Sequence, residues 1–220
     1  MTEAEYMRLT RDGYDVTASA YSERFHNHLH DKPLDLAMLS GFAGLIGGGG
    51  VLADIGCGTG ATTAMFAQFG LDVLGIDLSP NMIAEACRIN PDLEFRVGSM
   101  TSLDLSDASV DAVCAWYSTI HVPDESLPQA FSEFERVLRP GGQLLLAFQV
   151  GDQPRVLTEA FGHDVALTFY RRRPDAVAEM LAAAGLKLHA RLVREPDDDG
   201  LESTPQAYLI ARKSALAQVS

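Results

Sequence analysis

The sequence predicts an α/β protein, a doubly wound sheet with helices on both faces, and three observations carry that prediction. Val51, Leu52 and Ile55 make a short apolar run, glycines at 56, 58 and 60 turn the chain tightly, and ATTAMFAQF continues with helical apolar spacing. A second apolar run, VLGID, closes on Asp77, at the distance from the first glycine where dinucleotide folds place a ribose-binding carboxylate. Further apolar strands, VDAVCAWYS and QLLLAFQV, alternate with amphipathic stretches, as crossover helices and parallel strands do.

The elements follow in order. Residues 3 to 30 read as one or two helices ahead of the sheet, with Tyr14, Ala18, Tyr21 and Phe25 on one stripe. A second helix spans about 33 to 46 and runs into GGGG at 47–50, read as a flexible connector that lets the N-terminal helices swing. After strand two, Ser79 and Pro80 open a helix carrying Ile83, Ala86 and Cys87 on one face, and LEFRVGS is strand three. VDAVCAWYS is apolar throughout and therefore central. The helix from about 125 to 138 lines up Leu127, Ala130, Phe131, Phe134 and Leu138, and RPGG at 139–142 ends it before strand five. From 151 to 172 the pattern is irregular, with one added strand suggested by alternating Val165, Leu167 and Phe169. Pro174 opens a last helix that Gly185 closes, and LKLHARLV and AYLIAR are two strands joined by EPDDDGLESTPQ, an exposed loop.

With 220 residues and 47% hydrophobic content, one domain over 1–220 is expected. It divides into N-terminal helices (1–46), a cofactor-binding half (51–150), a substrate-side insertion (151–172) and a C-terminal helix and hairpin (173–212). The net charge of −13 disfavours a phosphate-backbone partner, and a cationic or neutral small molecule suits it best. No signal-peptide core and no run of 18 apolar residues is present, so neither export nor a membrane span is expected. Cys57, Cys87 and Cys114 form no close pair and read as reduced thiols of a cytoplasmic protein.

The chemistry gathers at the strand ends. The glycine turn puts a helix N-terminus with bare N–H groups against a ligand, and side chains there would keep that ligand off the backbone. No Lys or Arg flanks the turn and no G-x-x-x-x-G-K-[ST] motif occurs, which argues against a triphosphate, whereas GCGTGA also fits the dinucleotide pattern. Asp77 is a ribose-diol acceptor or a helix cap; Asp54 is a ligand group or a turn-stabilising residue. Trp116, Tyr117, Ser118 and His121 face the crevice beyond strand four. His121, with an ordinary pKa near neutrality, is the candidate general base or else caps its loop. Tyr117 binds and orients a substrate or simply packs. His26, His28 and His30 read as a solvated face and not as metal ligands. Arg171, Arg172 and Arg173 are solvated surface, or one of them pairs with a substrate anion.

Taken together, VLADIGCGTG, VLGIDLSPNMIAEA, VDAVCAWYSTIHVP and RVLRPGG before LLLAF resemble the class I S-adenosylmethionine-dependent methyltransferases, from about residue 12 to 212. The resemblance implies a Rossmann-like sheet of seven strands, mostly parallel, ending in an antiparallel hairpin. It implies S-adenosyl-L-methionine as cofactor, S-adenosyl-L-homocysteine as product, and methyl transfer to an O or N atom of a small-molecule acceptor. Cofactor contacts fall on Asp54, Gly56, Cys57, Gly58, Gly60, Asp77, Leu78, Met82, Ser99, Met100, Ala115 and Trp116, with Tyr21 from the covering helix. YDVTASAY at 14–21 matches the covering-helix motif YDxxAxxY. Substrate contacts fall on Tyr14, Tyr117, His121 and Arg171, and the catalytic pair is His121 with Tyr117. Ser99 departs from the family, which often carries an acid there for the adenine amino group. Three alternatives stay open: a nicotinamide-dependent oxidoreductase, a non-catalytic cofactor-binding module, and an enzyme using the sulfonium without transferring its methyl. The first lacks a Tyr-x-x-x-Lys pair, since no Lys lies between Lys32 and Lys187. Acceptor identity and oligomeric state are not encoded in any motif.

Overall fold

The computed structural model describes residues 3–215. The ends of the expected 1–220 domain, residues 1–2 and 216–220, lie outside the described residues.

Two helices lead the chain: α1 (Glu3–Phe25) and α2 (Pro33–Ile46), joined by a 3-10 turn at His28–Asp31. Then β1 (Val51–Ile55), α3 (Ala61–Gln68), β2 (Asp72–Asp77), α4 (Pro80–Ile89) and β3 (Glu94–Val97) alternate. They are followed by β4 (Val110–Trp116), α5 (Leu127–Val137), β5 (Leu138–Gln149), β6 (Arg155–Ala160), β7 (His163–Phe169), α6 (Pro174–Ala183), β8 (Leu186–Arg194) and β9 (Gln206–Lys213). The main sheet has seven strands in the order β3-β2-β1-β4-β5-β9-β8. Its first five strands pair in parallel, while β9 is antiparallel to both β5 and β8. The strand order reverses between β1 and β4, and a crevice opens beyond the carboxyl ends of strands at such a point.

Alternation along the central strands divides the core. Val113, Ala115, Leu144, Leu146 and Phe148 turn to one face, where Leu127, Phe131 and Phe134 of α5 and Leu181 of α6 cover them. Ala112, Cys114 and Leu145 turn to the other, under Leu39 and Phe42 of α2 and Phe66 of α3. Every residue of Ala112–Ala115 is fully buried because β4 has covered neighbours on both faces, so it reads as a continuous apolar run.

Three expectations change. The 151–172 segment is a two-stranded hairpin, β6 with β7, and not one added strand; Val156 is exposed, so β6 lacks the alternation that signals a half-buried strand. GGGG at 47–50 is not a loose connector. Gly47 N–H caps α2 on the Ala43 carbonyl, Gly49 N–H donates to Gly70, and the Gly50 carbonyl accepts from Asp72, which extends the β1–β2 ladder. The acidic segment 195–205 is not a free loop either: Asp197 and Asp199 both bind the buried Lys32 ammonium, and Glu202 binds Arg194.

Candidate active site

The ends of β1 and β2 build one side of the crevice. Gly56 has a φ of +75°, and a Cβ there would lie 2.2 Å from the Ser118 Cβ, because the Ser118 hydroxyl donates to the Ile55 carbonyl at 2.6 Å. Gly58, at φ +54°, has open space where its Cβ would stand, and its N–H donates to Asp77 Oδ2 at 2.8 Å. The second Asp77 oxygen accepts from Ser79 N–H at 2.9 Å. Two N–H donors hold this carboxylate in one orientation and leave lone pairs for a ligand. Burial still pushes its pKa above the ordinary carboxylate value, against the pull of those donors. Leu78 and Met82 continue the wall, and Ser99 with Met100 closes the β3 end.

Helix α1 covers this floor. The Asp15 carboxylate accepts from the Ser79 hydroxyl and from Asn81 N–H, which fastens α1 to the first turn of α4. On its opposite flank α1 meets β7 at Gly13, where a Cβ would come within 2.8 Å of Leu167. Tyr14 and Tyr21 then point into the crevice, their rings edge to face at 5.9 Å.

The end of β4 builds the other side of the crevice. His121 Nδ1 lies 3.0 Å from the Thr168 carbonyl, and its Nε2 lies 2.7 Å from the Tyr14 hydroxyl. A carbonyl only accepts, so Nδ1 carries the proton and Nε2 takes the hydrogen of Tyr14. Burial pushes the His121 pKa down to about 4, away from the ordinary value assumed from sequence, so the ring is neutral at pH 7. The turn bearing His121 is clamped by Arg172, whose guanidinium donates to the Thr119 and Val122 carbonyls and pairs with Asp124 at 2.8 Å. Tyr117 follows β4 at φ +53°, a left-handed conformation rare for a bulky residue. Its hydroxyl lies 3.1 Å from that of Tyr208, which donates to Asp35 and accepts from Arg194 Nε at 2.9 Å.

These groups line one cavity of about 320 Å³, within the range of small-molecule sites. Gly56, Cys57, Gly58, Asp77, Leu78, Met82, Ser99, Met100, Trp116, Tyr117, Tyr14, Tyr21 and His121 all line it.

Four expected residues do not. Asp54 is fully buried beneath the turn, where one of its oxygens accepts from the Thr62 and Thr63 hydroxyls at 2.7 Å each. It ties β1 to the first turn of α3, and burial pushes its pKa up to about 6. Gly60 faces Phe95 and Asn90, so packing and its φ of +81° require glycine there, not a ligand. Ala115 lies in the sheet core. Arg171 turns outward to the Ser203 hydroxyl at 2.8 Å; Arg172, the interior member of that basic run, is spent on backbone carbonyls. Sequence reading missed His28, Asp35, Gln149, Glu202 and Gln206, which also line the cavity. Only the acids crowded after Arg194 signalled a buried ion pair. Among the described residues, no group of three or more His, Cys, Asp or Glu is placed to hold a metal ion.

Residues 52–142 match the family model described as a methyltransferase domain. This segment is a methyltransferase domain, similar to S-adenosylmethionine-dependent methyltransferases. The methyltransferase segment is 40% identical over 94 residues to the demethylmenaquinone methyltransferase of Beutenbergia cavernae, a match covering 43% of this chain and 38% of that protein. The chain spans between 38% and 52% of the length of the first curated relatives it matches. Across nearly its whole length the fold is that of two solved structures. DhpI in complex with S-adenosylhomocysteine superposes with a TM-score of 0.76, at 24% identity, covering 97% of this chain and 99% of that one. The 1,6-didemethyltoxoflavin-N1-methyltransferase of Burkholderia thailandensis, solved with 1,6-didemethyltoxoflavin and S-adenosylhomocysteine, superposes with a TM-score of 0.70 at 19% identity, covering 97% and 91%. Both likenesses concern the fold.

Proposed function

We propose that this protein transfers the methyl group of S-adenosyl-L-methionine to an O or N atom of a small-molecule acceptor. The observation that carries the reading is the pairing of an open Gly58 cradle with the fixed Asp77 carboxylate, at the end of the cavity away from His121's side of the switch point. The Asp77 lone pairs suit a ribose diol, and the surface above Gly58 admits a chain lying on peptide backbone. Ser99 supplies an uncharged hydroxyl near the adenine position, already engaged with Thr101 at 2.9 Å, so nucleoside affinity rests mainly on Asp77.

The sulfonium supplies an activated methyl when the cofactor is bound. The chain's own task is to hold an acceptor in line and take up its proton. Neutral His121 Nε2 is the proton acceptor, and Tyr14 is the group that reaches it: as the acceptor's proton passes to the Tyr14 oxygen, the Tyr14 proton passes to Nε2. The Thr168 carbonyl stabilises the imidazolium through Nδ1–H. Tyr117 serves as a wall and orienting group, not as the base: burial raises its pKa further above the ordinary phenol value. The small-molecule class, the absence of a nucleic-acid or membrane partner and a cytoplasmic location belong to the same reading. They draw on the charge of −13 and on the finding that no helix among the described residues is long and apolar enough to cross a membrane.

Thermal unfolding with S-adenosylhomocysteine or NAD tests the reading. A hundredfold excess over Kd of the true ligand adds about 2.7 kcal/mol, a rise of roughly 5–10 °C for a domain this size. S-adenosylhomocysteine should produce that rise and NAD none; the reverse result sinks the proposal. Methyl turnover on any acceptor then separates transfer from mere binding.

A further inference from the structure

We propose that the acceptor carries a protonated amine, and that this amine is its anchor at the end of the cavity formed by β4, β5 and β9. This rests on the methyltransferase reading and extends it to the chemical class of the acceptor. The cofactor-side groups, Gly58 and Asp77, stand at the ends of β1 and β2; Tyr117, Gln149 and Gln206 stand across the switch point, where β4 and β5 end and β9 begins.

Four side chains at that far end offer oxygen lone pairs. Gln206 is only 2% exposed and lines the cavity. Its Nε2 donates to the Thr204 carbonyl at 2.7 Å, which fixes the amide orientation and leaves Oε1 as its acceptor atom. The Tyr208 hydroxyl gives its hydrogen to Asp35 and accepts from Arg194, so the Tyr117 hydroxyl must donate to Tyr208. The remaining lone pairs of Tyr117 therefore serve the cavity. Asp35 and Glu202 complete the set, and they share one guanidinium, Arg194, with a third carboxylate, Asp197. Lys32 next to them is likewise outnumbered, by Asp197 and Asp199.

No Lys or Arg among the described residues lines the cavity. A carboxylate or phosphate at this end would face lone pairs and surplus negative charge, with nothing to neutralise it. A protonated amine finds acceptors for each N–H, and the Trp116 and Tyr117 rings beside it attract a cation.

The test uses the full chain saturated with S-adenosylhomocysteine, whose own binding is measured first. No binding there defeats the methyltransferase reading itself and is a separate outcome. Calorimetric titration then compares tyramine with 3-(4-hydroxyphenyl)propionate, and further pairs of amines and carboxylic acids on one shared ring. The amines should bind at least about tenfold more tightly. Gln206→Glu should widen that preference and Gln206→Lys should reverse it, each with S-adenosylhomocysteine affinity at the wild-type level. Equal or tighter binding of the acids, binding by neither member of any pair, or a Gln206→Lys preference identical to wild type would each overturn the proposal.

Discussion

Asp77 and His121 are both buried ionisable groups, and their surroundings push them toward different uses. Asp77 is held by two N–H donors, so in the proposed reading its loss removes an oriented acceptor from a ribose. Asp77→Asn should weaken S-adenosylhomocysteine binding roughly tenfold to a hundredfold in calorimetry, the value of one or two hydrogen bonds to a charged group. His121 is kept neutral, and that state is what a proton acceptor needs. Tyr14→Phe and His121→Leu should each slow single-turnover methyl transfer by roughly a hundredfold or more while leaving cofactor affinity nearly intact. The wild-type rate should hold level from neutral pH down to about pH 5, then fall as the ring with a pKa of about 4 begins to charge. Stability carries the same signature with a definite sign. The unfolded chain protonates this histidine near its ordinary 6.5, before the folded one does, so its contribution of about 3 kcal/mol is present above that pH and lost as pH falls toward 4. Asp54, raised to about 6, has the opposite slope over part of the same interval. The informative quantity is therefore the difference between wild type and His121→Leu in melting temperature from pH 6.5 to 4, which should shrink on acidification.

At the scale of elements, the glycine turn separates packing from binding. Gly56→Ala drives a methyl into Ser118, so it should lower the melting temperature and binding together. Gly58→Ala meets no protein atom; it should cost only the roughly 1–2 kcal/mol of a left-handed alanine, yet abolish S-adenosylhomocysteine binding. Equal loss of stability in both variants would remove Gly58 from the site. The same contrast governs what is legible in the sequence alone. Strands β1, β2 and β4 and helices α3 to α6 appear in the sequence because each buries a continuous run or a clean stripe, and burial dictates the residue type. Asp77 was legible because it ends such a run. The β6 strand was not, since its side chains are mostly exposed and obey no period. Glu202, Asp35 and Gln206 were not, because they meet only where the C-terminal hairpin comes against α2: the strand of β9 was legible, but not which residues its first turn faces. Their partnership joins α2 to Arg194 at the end of β8 and to Tyr208 in β9, and local patterning holds no trace of contacts that distant.

For the molecule as a whole, the charge of −13 and the acid-rich far end of the cavity act in the same direction. A cationic acceptor is drawn in by the field and an anionic one repelled, so KM for amine acceptors should climb as salt shortens the Debye length from about 10 Å at 0.1 M. A KM independent of ionic strength would separate the surface field from acceptor capture. The carbonyl grip of Arg172 on the turn bearing His121 makes the reacting side depend on the segment that follows the β6–β7 hairpin.

The Asp15 bond to Ser79 and Asn81 joins the covering helix to the corner of chain that immediately follows Asp77. Occupancy of the nucleoside seat and retention of α1 are thus two loads on one hinge post. Amide exchange along residues 9–20 should slow in step with S-adenosylhomocysteine saturation, and Asp15→Ala should uncouple the two, leaving the helix exchanging freely above a filled seat.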